Sequence, residues 1–463
     1  MFLRLSILWG LIIIFIFSQI TISPVWAETI EDIKQIMADM KADYEAKIKE
    51  LESKIEKLSA EQQAANSKIE ELGTKQDEKI AMVEEKVDKS LLNVEYVGRR
   101  QGPVGSGGLL VKNPFGFGDV TLGGYFDTEY RDLENTDSTF QQHRWIINIG
   151  AVLHDRLRFN SELEIEEGGP NSEGGDGEIK VEQAYGDYLI NDKINIRAGA
   201  ILVPFGRYNL YHDSDLQDLT DRPIMAKDVV PTTWTEAGYG FFGEWNPIIG
   251  SYEDLLLKYE VYAVNGLDAG FSDTGLGGAR NSLKTDNNEG KSVVGRLSVA
   301  PASGYELGLS GYWGDYNTTD DSISGVGMDW LSTWGPLEFV GEYAYFGVEE
   351  EPTISSDVAN FFQGAYAQLN YHFWPQFLNN TLLGRGFQNP TLTAVTRYDW
   401  ALIGDDSDAD NINNREDRWT LGLNYRPIDN FVFKFEYQWN HTKNEALEVG
   451  SNDGFATSVA MGF

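Results

Sequence analysis

From residue 119 to the carboxyl terminus, apolar and polar residues alternate in one short segment after another. The clearest segment spans 430–440, where every second residue is aromatic and most residues between are polar or charged. Successive side chains of a β-strand point to opposite faces, so the pattern predicts a strand with one apolar and one polar face. We identify about sixteen such segments, near 119–131, 141–154, 156–166, 178–190, 193–203, 233–245, 254–265, 291–300, 304–314, 325–333, 336–347, 361–373, 391–402, 416–426, 430–441 and 453–463.

The connections between these segments alternate between short turns and long polar loops. An even number of strands with this asymmetry is typical of bacterial outer-membrane barrels. A soluble β-sandwich or β-helix is the alternative, but here the polar faces carry charges along their length and must meet water. A barrel of about sixteen strands encloses an aqueous channel. The sequence therefore predicts an all-β, up-and-down transmembrane barrel of about sixteen antiparallel strands that forms a pore.

Both ends of the chain agree with export to a membrane. Residues 1–27 have a charged start, an apolar run and a small-residue site ending at Ala27, the layout of a secretory signal peptide. An uncleaved membrane anchor is the alternative. No later segment is long and apolar enough for a spanning helix, so a membrane protein on this chain must span with strands. The last strand ends on Phe463 and resembles the signal that the barrel-assembly machinery of outer membranes recognises.

Residues 28–97 carry a different pattern, in which apolar positions advance in steps of three and four among Glu and Lys. Sustained steps of this kind predict an α-helical coiled coil and therefore an oligomer, whereas a single surface helix needs only a short stripe. The pattern leaves the number of helices open. Residues 98–117 are rich in glycine and predict a flexible linker to the barrel, residues 118–463.

Composition argues against several other classes of protein. There is no cysteine, so disulfides and thiolate metal sites are impossible. A formal net charge of −35 argues against nucleic-acid binding, which needs a basic surface. The five histidines lack the spacing of a nucleophile and base, so the residues do not support the alternative of an enzyme. We expect no catalytic residue, cofactor or metal site, and we interpret the acidic run 405–410 as a solvated loop rather than a Ca²⁺ site.

One stretch of the predicted barrel carries recognisable motifs. They are VEQAYGDY at 181–188, IRAG at 196–199 and VPFG at 203–206. With these motifs and a preceding coiled coil, the chain resembles the phosphate-selective porin O and P family. The resemblance implies a trimeric, sixteen-stranded porin whose third external loop folds inward and narrows the lumen.

The segment 207–234 follows the last motif and would be the inward loop. Charges packed into a constriction act at close range and can select ions by sign; a solvated external loop is the alternative. The candidate constriction residues are Arg207, His212, Asp213, Asp215, Asp218, Asp221, Arg222, Lys227 and Asp228. The candidate pore-wall residues are Arg156, Arg158, Glu162, Glu164, Glu182, Arg197, Lys258, Glu260, Arg296, Glu338, Glu342, Arg397, Asp399, Arg426, Lys434 and Glu436.

Most of the net negative charge belongs to the barrel, and no lysine cluster of the phosphate-selective kind is present. Because an acidic wall attracts cations and repels phosphate, we expect a weakly cation-preferring or unselective channel for passive diffusion of small hydrophilic solutes and ions. The alternatives are an anion- or phosphate-selective porin and a structural tether through the coiled coil. The expected location is the bacterial outer membrane with the coiled coil in the periplasm. The expected partners are membrane lipid, lipopolysaccharide, two further copies of the chain and, through Phe463, the barrel-assembly machinery.

Overall fold

The structure is a computed structural model. It describes residues 30–88, 93–98, 100–102, 104–113, 118–170, 177–248, 254–280, 283–286, 288–349, 359–404, 414–444 and 451–463. The predicted signal peptide and the acidic run 405–410 lie outside the described residues. The chain divides into two compact units, Met1–Lys86 and Val87–Phe463.

The described part of the first unit is helical and belongs to α1 (Ile30–Asp88). Leu51, Ile55 and Leu58 stand four and three residues apart, share one face of the helix, and are 58, 65 and 64 % exposed. This uncovered apolar stripe agrees with the predicted coiled coil, which stays a prediction because the structure holds one copy of the chain. Within the described residues, no helix has both the length and the apolarity to cross a membrane.

The second unit is built on a closed antiparallel barrel, and its strands follow one another around the wall in chain order. Its sixteen strands are β3 (Asp119–Leu133), β4 (Thr139–His154), β5 (Leu157–Glu166), β6 (Ile179–Asn191), β7 (Ile194–Leu202), β8 (Thr235–Trp245), β9 (Leu256–Val264), β10 (Ser292–Ala302), β11 (Tyr305–Asp315), β12 (Ser322–Trp334), β13 (Leu337–Val348), β14 (Phe361–Phe373), β15 (Thr391–Gly404), β16 (Asn414–Ile428), β17 (Phe431–Asn444) and β18 (Gly454–Gly462). The predicted fold class is confirmed, and each of the sixteen predicted segments corresponds to one strand.

The last strand closes the wall by pairing with β3. Phe455 lies opposite Asp132, and Met461 lies opposite Phe126. Beyond the ladder, the Phe463 N–H donates to the Gly124 carbonyl at 2.9 Å. The carboxyl-terminal strand is therefore part of the ring, and closure removes the free sheet edges that lipid could not satisfy.

The barrel wall is apolar outside and polar inside. On β16, Trp419, Leu421 and Leu423 are exposed on the outer face, whereas the alternate residues Thr420 and Asn424 are fully buried in the interior. Outward apolar residues meet lipid in a transmembrane barrel, and the inward positions line or fill the lumen. The period of two in the sequence thus separates a lipid-facing surface from a lumen surface.

Two short strands precede the sixteen strands of the barrel. One, residues 93–97, lies at the end of the predicted coiled coil, and the other, residues 108–112, lies in the predicted linker. The coiled-coil prediction is therefore wrong for residues 93–97, because they pair as a strand. β1 (Asn93–Val97) pairs with β2 (Gly108–Lys112), and β2 in turn pairs with the start of β3, with Leu110 opposite Thr121. The linker prediction is therefore wrong for Gly108–Lys112, because the edge of β3 beyond the end of β18 is free to accept this strand. The high glycine content of this region favoured a linker prediction, although it contains the short apolar run 109–111.

The two ends of the barrel differ in their connections, although the expected alternation has exceptions. At the short-turn end, which holds the β4–β5 and β16–β17 turns, the connection 374–390 is long and contains a 3₁₀ turn, Gln376–Asn380. At the long-loop end, residues 134–138 join β3 to β4 tightly. The longest described connection, between β7 and β8, does not stay outside the barrel.

Candidate functional site

The segment between β7 and β8 enters the barrel and is named here the constriction loop, residues 203–234. It contains two short helices, α2 (Arg207–Leu210) and α3 (Met225–Asp228). The loop turns inward at Gly206, whose φ of 71° lies in the left-handed region. A side chain at this position would overlap the Glu342 carboxylate on β13. Glycine thus permits both the turn and the close approach to the opposite wall.

An apolar cluster fixes the two ends of the constriction loop. Phe205 and Trp234 are fully buried, with ring centroids 6.2 Å apart, and Phe205 also packs on Phe346 of β13 at 4.8 Å. The inward face of the wall is apolar where it contacts the two ends of the loop. Its buried residues there include Tyr312, Phe346, Phe362 and Tyr366. Residues that face the lumen of such a barrel are normally polar, so this apolar patch is the surface on which the loop packs.

Carboxylates on three strands accept hydrogen bonds from loop backbone N–H groups. Glu342 accepts from Tyr208 at 2.9 Å, and Asp399 on β15 accepts from Ile224 at 2.8 Å. Glu436 on β17 accepts from Thr220 at 2.6 Å. These wall carboxylates replace the water that the loop backbone would otherwise need.

Basic wall residues complement this pattern by donating to loop carbonyls. Lys434 donates to Ser214 at 2.6 Å. Arg426 donates to the Asp215 carbonyl at 2.7 Å, and Arg397 donates to the Asp221 carbonyl at 2.9 Å. Several predicted wall charges therefore anchor the loop instead of facing an open channel.

Contacts of titratable side chains connect the loop to β3 and β6 as well as to β16. Asp221 lies 2.5 Å from Arg131 and 3.4 Å from Arg418. Burial alone would raise the pKa of Asp221, but these two guanidinium groups hold it well below its usual range. The buried His212 lies 3.5 Å from Glu182 on β6. The loop thus spans the lumen and contacts both sides of the wall.

A water-accessible cavity of about 810 Å³, named here the vestibule, lies between the loop and the wall near the long-loop end. Its lining contains seven Lys or Arg side chains and seven carboxylates, besides His143. The charged residues are Glu129, Arg131, Arg144, Glu166, Glu167, Glu178, Lys180, Asp221, Arg222, Lys227, Asp228, Arg280, Glu416 and Arg418. The local charge is close to balanced despite the strongly acidic chain.

A second cavity, of about 310 Å³, lies on the side of the loop that faces the short-turn end of the barrel. Its lining includes Arg207, Asp218 and Glu338. Arg207 lies 3.6 Å from Glu306 and stacks over the ring of Tyr211, 4.5 Å from its centroid. Charges of both signs therefore line the lumen on either side of the loop.

The predicted constriction residues all lie on the loop, and most predicted wall residues lie on inward strand faces. Arg156 is the exception, because it lies in the β4–β5 turn and not on the wall. Lys258 is inward-facing but lies 4.0 Å from Glu244 at the short-turn end, with both side chains exposed and away from the loop. The acidic wall that the sequence suggests is partly neutralised by pairs such as Arg296–Asp329 at 2.7 Å.

Sequence reasoning missed several residues that the structure places in the vestibule. Arg418 stands next to Trp419, so the same alternation that puts the tryptophan outside would have placed Arg418 inside. Arg131 and His143 lie near strand ends, where the alternation in the sequence does not show which residues face the lumen. The apolar surface on which the loop packs could not be predicted from the sequence. An inward apolar residue breaks the alternation of apolar and polar residues and resembles the end of a strand.

Comparison with known proteins adds the following similarities. The family model described as phosphate-selective porin O and P matches residues 122–333 and 324–463. An uncharacterised protein of Aquifex aeolicus is 29 % identical over 285 residues, which cover 56 % of this chain and 62 % of that protein. The match thus spans less than two thirds of the length of that relative.

Two solved structures are similar in fold. OmpF of Salmonella typhi, solved in complex with daunomycin, has a TM-score of 0.50 at 13 % identity and covers 75 % of this chain and 99 % of its own. An anion-selective porin from Comamonas acidovorans has a TM-score of 0.46 at 11 % identity and covers 74 % of this chain and 99 % of its own. At such identities the first similarity supports the barrel fold alone.

Proposed function

The chain belongs to the phosphate-selective porin O and P family of outer-membrane channels, and from this we propose that its lumen passes small hydrophilic solutes and ions with little preference for either sign of charge. The observation that carries the proposal is the constriction loop, which is bonded across the lumen and leaves a vestibule lined by balanced charge. Transport of this kind needs lumen width and wall charge, and no catalytic residue or cofactor.

The balance of charge supports weak selectivity over the cation preference that the net charge suggests. A field selects ions by the charges that face the path, and charges further away are screened by salt. Wall carboxylates such as Asp399 and Glu436 are buried and engaged with the loop. They therefore attract a permeating cation less strongly than their number implies.

A second candidate is selectivity for anions such as phosphate, as the family description suggests. Arg222 on the loop favours it. Its guanidinium donates to the Thr232 carbonyl at 2.6 Å and, within the described part of the chain, forms no ion pair. A lumen cation without a carboxylate partner attracts anions.

Assembly and location complete the proposal. We place the barrel in the bacterial outer membrane, where its outer face meets lipid and its loops meet lipopolysaccharide. We propose a homotrimer whose coiled coil, formed by α1, lies in the periplasm. We also propose that the barrel-assembly machinery recognises Phe463. The exposed stripe on α1 supports oligomerisation.

Liposome swelling tests the channel directly. Liposomes that contain the full-length protein should admit uncharged sugars at rates that fall with sugar size, because the constriction loop limits the passage. Deletion of residues 28–88, which contain α1 and leave β1 in place, should leave the rates per barrel unchanged while lowering the yield of trimer. Exclusion of every sugar, small ones included, by correctly folded protein would contradict the proposal.

A further inference from the structure

Three side chains that bind metals in other proteins converge on the lumen face of β3 and β4. Nδ1 of His143 lies 3.0 Å from Oδ2 of Asp127 and 3.0 Å from Oε1 of Glu129. One ligand atom from each residue lies within 4.8 Å of the other two. Both carboxylates are almost fully buried, whereas the imidazole is partly exposed.

The backbone explains why these residues meet. Asp127 and Glu129 are two positions apart on β3 and therefore share the inward face. The register with β4 shifts between them, so that Asp127 pairs with Arg144 and Glu129 pairs with Gln141. This irregularity places two residues of β4 opposite Thr128 and turns His143 toward the two carboxylates, as β-bulges commonly redirect a side chain.

Hydrogen bonds hold the second oxygen of each carboxylate. The Arg144 backbone N–H donates to Oδ1 of Asp127 at 3.0 Å. Arg131 donates to Oε2 of Glu129 from Nε at 3.0 Å and from Nη2 at 2.6 Å. Oδ2 and Oε1 are thereby fixed toward His143. Partners that orient ligands in this way are typical of protein metal sites.

We propose that Asp127, Glu129 and His143 bind a divalent first-row transition cation such as Zn²⁺ in the vestibule. An ion about 2.1 Å from each ligand atom separates neighbouring ligands by about 3.0 Å in an octahedron and by about 3.4 Å in a tetrahedron, which is the usual geometry of Zn²⁺. The two 3.0 Å separations around Nδ1 match neighbouring positions. One imidazole and two carboxylates suit these cations better than Ca²⁺, which takes six to eight oxygen ligands.

The site is open to the ion and to water. Glu129 and His143 line the vestibule, so that a cation can arrive through the lumen and keep water at its remaining positions. A histidine must present an unprotonated nitrogen to hold a metal ion, so binding should weaken as the pH falls.

Calorimetry on the full chain in detergent, purified without a polyhistidine tag, tests the site independently of channel activity. Zn²⁺ should bind with one site per chain, Ca²⁺ should give no heat, and Co²⁺ should develop a visible absorption band. His143→Gln should weaken Zn²⁺ binding about tenfold or more. His154→Gln, at the end of β4 and at the other end of the barrel, is the matched control and should bind normally.

The wild-type protein alone decides the outcome even if His143→Gln does not fold. Absence of Zn²⁺ and Co²⁺ binding by the wild type would show that the three residues form only an ion-paired cluster. Binding that survives both His143→Gln and Glu129→Gln would place the metal elsewhere. In bilayers, Zn²⁺ should shift the wild-type reversal potential toward anions and leave that of His143→Gln unchanged.

Discussion

The Thr220 backbone N–H donates to Oε2 of Glu436 at 2.6 Å and joins the constriction loop to a strand 216 residues further along the chain. The same carboxylate accepts from the Asp221 N–H at 3.2 Å. Because the loop tip is far from its own ends at β7 and β8, such bonds decide whether it stays on the far wall. The width of the lumen therefore depends on side chains of β13, β15 and β17.

Replacing Glu436 by alanine should release the loop tip. Two partly buried N–H groups would lose their acceptor, at a cost of about 1–3 kcal/mol. We expect larger and noisier single-channel conductance than in the wild type. Glu244→Ala, which removes an exposed carboxylate at the short-turn end, is the control and should conduct normally. Identical conductance traces from Glu436→Ala and the wild type would show that this carboxylate does not position the loop.

Replacing Gly206 by alanine should disturb the point where the loop turns inward. The new methyl group would overlap Glu342 and occupy a left-handed conformation that costs about 1–3 kcal/mol. Gly335→Ala is a matched control, because Gly335 also has a positive φ, 57°, but open space around it. Denaturant unfolding should show a greater loss of stability for Gly206→Ala. Equal losses would mean that only the backbone conformation matters.

Removing the charge of Arg222 should shift ion selectivity toward cations. Arg222 lines the vestibule, and within the described residues no ion pair neutralises it. The reversal potential of Arg222→Gln in a salt gradient should move in the cation-selective direction. Arg156→Gln, which alters the β4–β5 turn outside the lumen, should leave the reversal potential in place. A shift of equal size in both variants would point to net charge and not to position.

Asp228 should make selectivity depend on pH. Burial raises the pKa of Asp228 to about 7, although Lys227 opposes the shift. The carboxylate therefore gains its charge as the pH rises through 7, and cation permeability should rise with it. Asp228→Asn should remove this component of the pH dependence. An unchanged pH profile in the variant would assign the effect to another group.

The same shift has a consequence for folding. Between the ordinary aspartate pKa near 4 and the raised value, the folded chain keeps a proton that the unfolded chain has released. Stability contributed by Asp228 is therefore present at low pH and lost as the pH rises through this window. In unfolding titrations, Asp228→Asn should lose less stability than the wild type across the same range.

The wall of the barrel could be predicted because its physics is local. A strand between lipid and water needs one apolar and one polar face, and this requirement marks segments such as 430–440 directly in the sequence. The strand Gly108–Lys112 was not predicted, because a short strand among glycines has too few positions to show the period of two. Its pairing with β3 depends on where β18 ends, which is a property of the closed ring.

The interior could be predicted only in part, because its contacts join distant segments. The motif ending at Gly206 located the loop, but no local pattern pairs Thr220 with Glu436. The cluster of Asp127, Glu129 and His143 left a partial signal: two acids on one strand face and a histidine on the next strand. The irregular register that brings them together is not visible in the residues.

We propose that a water-filled path with balanced charge passes the constriction loop. Single-channel recording of the full-length protein in planar bilayers, under a gradient of KCl, tests it most directly. We expect discrete conductance steps and a reversal potential close to zero. Absence of conductance from folded protein, or a reversal potential near the limit for pure anion or pure cation permeation, would contradict it.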